Sequence, residues 1–311
     1  MHFLVAAWKH VESTGQPIPY WLCLDEMNLA PVEQYFADYL SIIETRSWSN
    51  GFYTCDAILS SDIFKNLDEN GLSALRKDLD LQDDQDEVLW SRFVSEGISI
   101  PPNLIVAGTV NMDETTHGFS RKVIDRAFTL DFGEFFPNDY AEFFSPSSQP
   151  VTLSYPTISQ ASLTDLSHVK ADTDGQKSIL FLEAINQQLK QTPFELAYRA
   201  LNELLIAVAN YQPEDELVLQ SVWDDFLMSK VLPRIEGDAE KLGDDGETNL
   251  LKILEEVLST QLETIWSTDS RLDLLRENLS GEPLNIACRS KKKLEWMKSR
   301  LETNGFTSFW P

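Results

Sequence analysis

The 311 residues carry 50 acids against 25 bases, a formal charge of -25, so the surface repels phosphate backbones and direct contact with DNA or RNA needs a local basic patch. Cys23, Cys55 and Cys288 are odd in number and form no CxxC pair, which argues against a disulfide framework or a zinc knuckle and fits a reducing cytoplasm. His2, His10, His117 and His168 have no metal-ligand spacing, and no apolar run approaches the length of a membrane span.

The chain is long enough to bury a sizeable core and to divide into two domains. Its opening, MHFLVAAWKH, is too quickly charged for a signal peptide and reads as the end of a helix over residues 1 to 12. Next comes a short unbroken apolar run, Tyr20 to Leu24, which suits a strand buried on both faces of a parallel sheet. Asp25 and Glu26 then stand at its carboxyl end, where ligands gather in open α/β sheets. Val32, Tyr35, Phe36, Tyr39, Leu40 and Ile43 recur along one helix face, with Pro31 tolerated in the first turn and Tyr35 and Phe36 placed in the core.

Between about 53 and 100 the pattern weakens and acids cluster, as in DLDLQDDQDEVLW, which reads as an exposed insertion with helical pieces rather than core. Periodicity returns over residues 101 to 132. Leu104 to Ala107 form a second strand with Asn111 at its carboxyl end, a short helix spans Phe119 to Arg126, and Phe128 to Phe132 form a third strand. Strands separated by helices imply a parallel sheet.

Pro, Ser and Thr enrich the following stretch, which reads as a linker over 134–175. The remainder, 176–311, looks all helical. In TPFELAYRALNELLIAVAN, Thr192 caps, Pro193 fits the first turn and Glu195 completes a capping box, with Ala197, Leu201, Leu204, Leu205 and Val208 on one face. Further helices span about 216 to 231, 249 to 266 and 290 to 303. Arg289, Lys291, Lys292 and Lys293 form the strongest basic patch, with a solvated helix face as the plainer reading.

A strand ending in Asp-Glu and a second strand ending in Asn are the parts that a nucleoside triphosphatase sets around its triphosphate. The Asp helps to hold magnesium, the Glu orients or deprotonates the attacking water, and the Asn contacts the water or the γ-phosphate. Taken alone, the acidic pair is a weak signal and reads more readily as helix-capping carboxylates. The combination of LCLDEMNLAPVEQYF, NLIVAGTVNMDETTHGFSRKVIDRAFTLDF, FELAYRALNELL, KVLPRIEG and KKKLEWMKSRLETNGFTSFW resembles the AAA+ motor subunits of the McrB-like restriction family, in the family's order.

That resemblance implies a partial AAA+ P-loop NTPase core over 1–133, its parallel sheet followed by the linker and an all-helical lid domain over 176–311. It implies that Asp25 and Glu26 are the Walker B pair, Asn111 is sensor 1, Arg126 is an arginine finger with Arg121 as the weaker candidate, and Arg199 is the sensor 2 arginine. Asp25, Asn28 and Arg121 are the candidate nucleotide contacts. Asn28 reads also as a cap of the next helix or a support for Glu26. Arg126 beside Asp125 reads also as an ion pair at a helix end, Arg199 as a solvated charge, and His117 as a turn residue. The cofactor implied is Mg2+ with ATP or GTP. The partners implied are other AAA+ subunits in a ring, a nuclease of McrC type, and DNA only indirectly, in the cytoplasm and with no membrane.

The family also needs a GxxxxGK[ST] loop to cradle phosphates, and these 311 residues contain none. A truncated module, inactive alone and with an exposed apolar sheet edge, is therefore expected. Its alternatives are a non-catalytic subunit that lends Arg126 to a complete motor and one half of a split motor.

Overall fold

The computed structural model describes residues 1–13, 17–49, 51–111, 118–135, 140, 144, 153–243, 248–276 and 283–310; His117 lies outside them. The fold is mixed α/β, with helices predominating over small sheets. It comprises two compact units, one of residues 1–123 with 149–159 and the other of residues 124–148 with 160–311.

In the first unit, helix α1 (His2–Ser13) is followed by strand β1 (Tyr20–Leu24), then short helices α2 (Val32–Tyr35) and α3 (Ala37–Ile42). The single helix expected over 32 to 43 is broken at Phe36, whose φ of -112° and ψ of 11° leave the helical region. Tyr35 is not in the core: it is 51% exposed, because its hydroxyl turns back to donate to the Met27 carbonyl at 2.7 Å.

Strands β2 (Ser47–Ser49) and β3 (Phe52–Thr54) form a hairpin. Strand β4 (Ala57–Leu59), helices α4 (Ser61–Lys65), α5 (Glu69–Asp78) and α6 (Glu87–Glu96), and strand β5 (Ile98–Ser99) follow, with β4 antiparallel to β5. This corrects the reading of 53 to 100 as an exposed insertion. Phe64, Leu79, Leu81, Leu89, Trp90, Phe93 and Ile98 build a core with Val5 and Trp8 of α1. Acids mask it in the sequence because they interleave with apolar residues: Asp80 projects to solvent between buried Leu79 and Leu81. Asp86, buried among them, is paired with Lys9 at 2.9 Å.

Strand β6 (Leu104–Gly108) runs parallel to β1, pairing Tyr20 with Leu104 through to Leu24 with Gly108. Strand β1 is not buried on both faces: Trp21 is 43% exposed, and β6 is its sole strand partner among the described residues. Nor do Phe128 to Phe132 add a third strand. Helix α7 (Arg121–Ile124) leads into irregular chain, and helix α8 (Phe132–Phe135) begins where a strand was expected. The Asp131 carboxylate accepts from the Gly133 amide at 3.1 Å and so initiates a helical turn.

The second unit adds helices α9 (Leu163–Leu166), α10 (Gln176–Leu189), α11 (Tyr198–Tyr211) and α12 (Glu216–Phe226), strand β7 (Glu236–Asp238), helices α13 (Leu250–Gln261) and α14 (Glu263–Thr268), strands β8 (Arg271–Leu272) and β9 (Asn285–Ile286), helix α15 (Arg289–Asn304) and strand β10 (Phe306–Ser308). One apolar core runs through it, with Phe181 and Trp223 stacked 4.4 Å apart. Leu166 and Val169, inside the stretch read as linker, belong to this core, and a capping box between Ser162 and Asp165 starts α9.

The expected start of α11 moves. Thr192 accepts from the Phe194 amide at 3.1 Å and Glu195 from the Gln191 amide at 3.2 Å, but these bonds close a turn. The helix begins at Tyr198. Helix α12 runs into a π-helical turn, Leu227–Val231, and stops at Pro233; α15 ends at Gly305, whose φ of 69° is favourable only for glycine.

Candidate active site

The parallel pairing of β1 with β6 brings two carboxyl ends together, and the chain beyond them is stitched across. The Thr109 amide donates to the Leu24 carbonyl at 2.9 Å and the Met27 amide to the Thr109 carbonyl at 2.9 Å, so backbone pairing continues past the strand ends. Gly108 permits this approach, because a Cβ there would run into Met27 Sδ. Glu26 turns the chain with φ 48° and ψ 46°, a left-handed conformation that a non-glycine residue adopts at some cost.

Side chains lock the same turn. Thr109 Oγ1 accepts from the Glu26 amide at 2.8 Å and donates to Asp25 Oδ1 at 2.5 Å. Asn111 Nδ2 donates to Glu26 Oε1 at 2.9 Å. Asn28 is fully buried; its Nδ2 donates to the Asn111 carbonyl at 2.8 Å and its Oδ1 accepts from the Asn111 amide at 3.3 Å.

Four sequence candidates, Asp25, Glu26, Asn28 and Asn111, are thus assembled into one exposed carboxylate site. Asn28 does not cap the helix that follows, which begins after Pro31 with no side-chain cap bond; it is turned inward onto Asn111. Thr109 was missed by sequence reasoning, because only the register of β1 with β6 sets its hydroxyl opposite the two acids. Among the described residues, no three or more His, Cys, Asp or Glu side chains gather to hold a metal directly. The Asp25 carboxylate, one oxygen of which accepts from Thr109, is a ligand of the type that hard cations take.

The other candidates are carried by other elements. Arg121 is exposed at the start of α7, in the first unit. Arg126 follows α7, in the second unit, and Arg199 is exposed in the first turn of α11. Asp125 pairs with Arg234 of the KVLPRIEG segment at 3.2 Å. The carbonyls on either side of Arg126, those of Asp125 and Ala127, accept from Lys230 Nζ at 3.1 and 2.9 Å. Lys230 in turn faces Glu203. Burial pushes the lysine below its usual range and the glutamic acid above its own, each partly offset by the other's charge.

The basic patch is only in part a solvated face, since Lys292 is exposed but its neighbours are not. Arg289 and Lys293 are buried. Arg289 pairs with Asp225 at 2.7 Å and Asp273 at 3.2 Å, Lys293 with Asp131 at 2.7 Å and Lys292 with Glu134 at 3.0 Å. Arg271, also buried, pairs with Asp224 at 2.6 Å and with Asp225.

Residues 151–306, half of the chain, match the model of a family described as a domain of unknown function, DUF8727. No curated protein and no solved structure matches the chain.

Proposed function

We propose that this chain, which belongs to the DUF8727 family, is the nucleotide-handling module of an AAA+ NTPase motor of the McrB-like restriction type. The observation that carries the reading is the Glu26–Asn111 hydrogen bond beside an exposed Asp25 at the carboxyl ends of two parallel strands. In this reading Glu26 is the general base for the attacking water, Asn111 holds that carboxylate and senses the γ-phosphate, and Asp25 would help to hold magnesium. Magnesium, bound with ATP or GTP, would supply charge neutralisation at the phosphates. Arg126 serves a neighbouring subunit in the ring, and Arg199 serves as the sensor 2 arginine. A nuclease of McrC type acts on the DNA.

These 311 residues hold no GxxxxGK[ST] loop; in a second arrangement of the same parts the chain joins complete motor subunits and lends them Arg126. The deciding experiment measures ATP and GTP turnover for the chain alone and mixed with a complete McrB-like motor subunit. The chain alone should turn over neither nucleotide. Mixed rings should hydrolyse, with Arg126→Ala lowering turnover at the shared site on the order of a thousandfold. Absence of co-assembly and of any effect with both nucleotides would sink the proposal. Robust hydrolysis by the chain alone that disappears in Glu26→Gln would keep the NTPase and overturn the lending arrangement.

A further inference from the structure

We infer that Asn28 and Thr109 are positioning residues that together preset the two carboxylates, a clasp without which Asn111 does not engage Glu26. In its catalytic meaning the inference rests on the proposed role of Glu26; its geometry stands apart from that role.

The clasp has two arms. Asn28 grips Asn111 from both sides, donating to its carbonyl at 2.8 Å and accepting from its amide at 3.3 Å. A buried carboxamide that both donates to and accepts from one residue ties that residue's backbone at two points, its carbonyl and its amide. With the Asn111 backbone fixed, its side chain meets Glu26 Oε1 at 2.9 Å. The second arm is Thr109. A hydroxyl has one proton, and here it goes to Asp25 Oδ1 at 2.5 Å while the oxygen accepts from the Glu26 amide at 2.8 Å. One atom thereby holds the amide of one acid and the carboxylate of the other, and supports the left-handed turn at Glu26.

Valine lacks the hydroxyl and keeps the β-branched shape, whereas serine keeps the hydroxyl. Asn28→Asp keeps the acceptor for the Asn111 amide and loses the donor to its carbonyl.

The test reads the side-chain amide resonance of Asn111 in 15N-labelled full-length chain, with thermal unfolding as the check that each variant is folded. In the native chain, Glu26→Gln should shift that resonance, because the carboxylate acceptor is replaced by a neutral amide. In the Asn28→Asp and Thr109→Val backgrounds the same Glu26→Gln change should leave it unmoved, and Thr109→Ser should restore the response. A response of native size in folded Asn28→Asp and Thr109→Val chains overturns the clasp. If Asn28→Asp does not fold, the Thr109→Val and Thr109→Ser pair decides alone. The resonance is read without nucleotide, so failure of the chain to act with a motor subunit would remove the proposed function and leave this result standing.

Discussion

The Lys230 ammonium lies 2.7 Å from the Glu203 carboxylate, and the lysine side chain is only 3% exposed. The same ammonium donates to the Asp125 and Ala127 carbonyls, and next to it the Ser229 carbonyl accepts from the Thr129 amide at 3.1 Å. The π-helical turn at Leu227–Val231 carries both groups. The segment that holds Arg126 is therefore pinned to the helical unit by the backbone on either side of it.

Breaking that pair from one side leaves the other charge buried and uncompensated. Glu203→Gln should lower unfolding free energy by about 3 kcal/mol, measured by urea denaturation. Replacing both partners by apolar residues of similar volume, Glu203→Leu with Lys230→Met, should recover most of the loss. A double variant as unstable as the sum of the singles would show that the two side chains do not act as a pair.

What was legible in the sequence follows from how local each signal is. The strand ends at Leu24 and Gly108 and the acids beyond them were readable because a short apolar run and its polar stop lie within a few residues. Helices α11, α12, α13 and α15 were readable from periodicity and from Pro233 and Gly305, though not the start of α11. Thr109 was not, because its role depends on the register of β1 with β6, strands separated by more than a helical unit of sequence. Nor was the burial of Arg289 and Lys293 readable. Their partners Asp131, Asp225 and Asp273 are remote in the chain, and a run of basic residues looks the same whether solvated or paired. The acidic stretch misled for the converse reason: net charge outweighed an alternation that buries every second residue at Leu79 and Leu81.

Asp273 gives a pH dependence. Burial pushes its carboxyl up, but the hydrogen bond from Arg276 at 2.7 Å, the Leu275 amide at 3.0 Å and the Arg289 charge together hold it below the usual carboxylate value of 3.8. A folded-state value below the unfolded one contributes stability that is present above the unfolded value and lost as pH falls through the folded one. Asp273→Asn should therefore lose stability at pH 7 and show a smaller further drop below about pH 4 than the native chain. Asp225, raised chiefly by burial, works in the opposite direction and remains in both proteins. Identical acid limbs in the two melting profiles would assign the loss to other groups.

The buried basic cluster predicts a separation between stability and DNA binding. Lys293→Gln removes the partner of Asp131 in a part-buried pair and should cost about 1–3 kcal/mol. Neither the native chain nor this variant should retard duplex DNA in a gel at physiological salt, because the cluster's charges are already met by acids and the net charge is -25. Salt-sensitive retardation of the native chain, lost in Lys292→Glu, would restore the patch as a phosphate site.

Gly108 tests the close approach of the two strand ends. A methyl group there meets Met27 Sδ and, at 3.1 Å, Met27 Cγ, so Gly108→Ala should cost about 1–3 kcal/mol through overpacking. The obstruction is a flexible side chain on a residue whose amide bonds to the Thr109 carbonyl at 2.9 Å, and Met27 is only half-buried. Truncating that side chain should lift the penalty: in a Met27→Ala background, Gly108→Ala should instead stabilise by about 0.5–1 kcal/mol, the ordinary gain from removing a glycine's conformational freedom within a strand. Urea denaturation of the four proteins of this cycle gives the coupling. A penalty of equal size in both backgrounds would mean that something other than Met27 fills the space above Gly108.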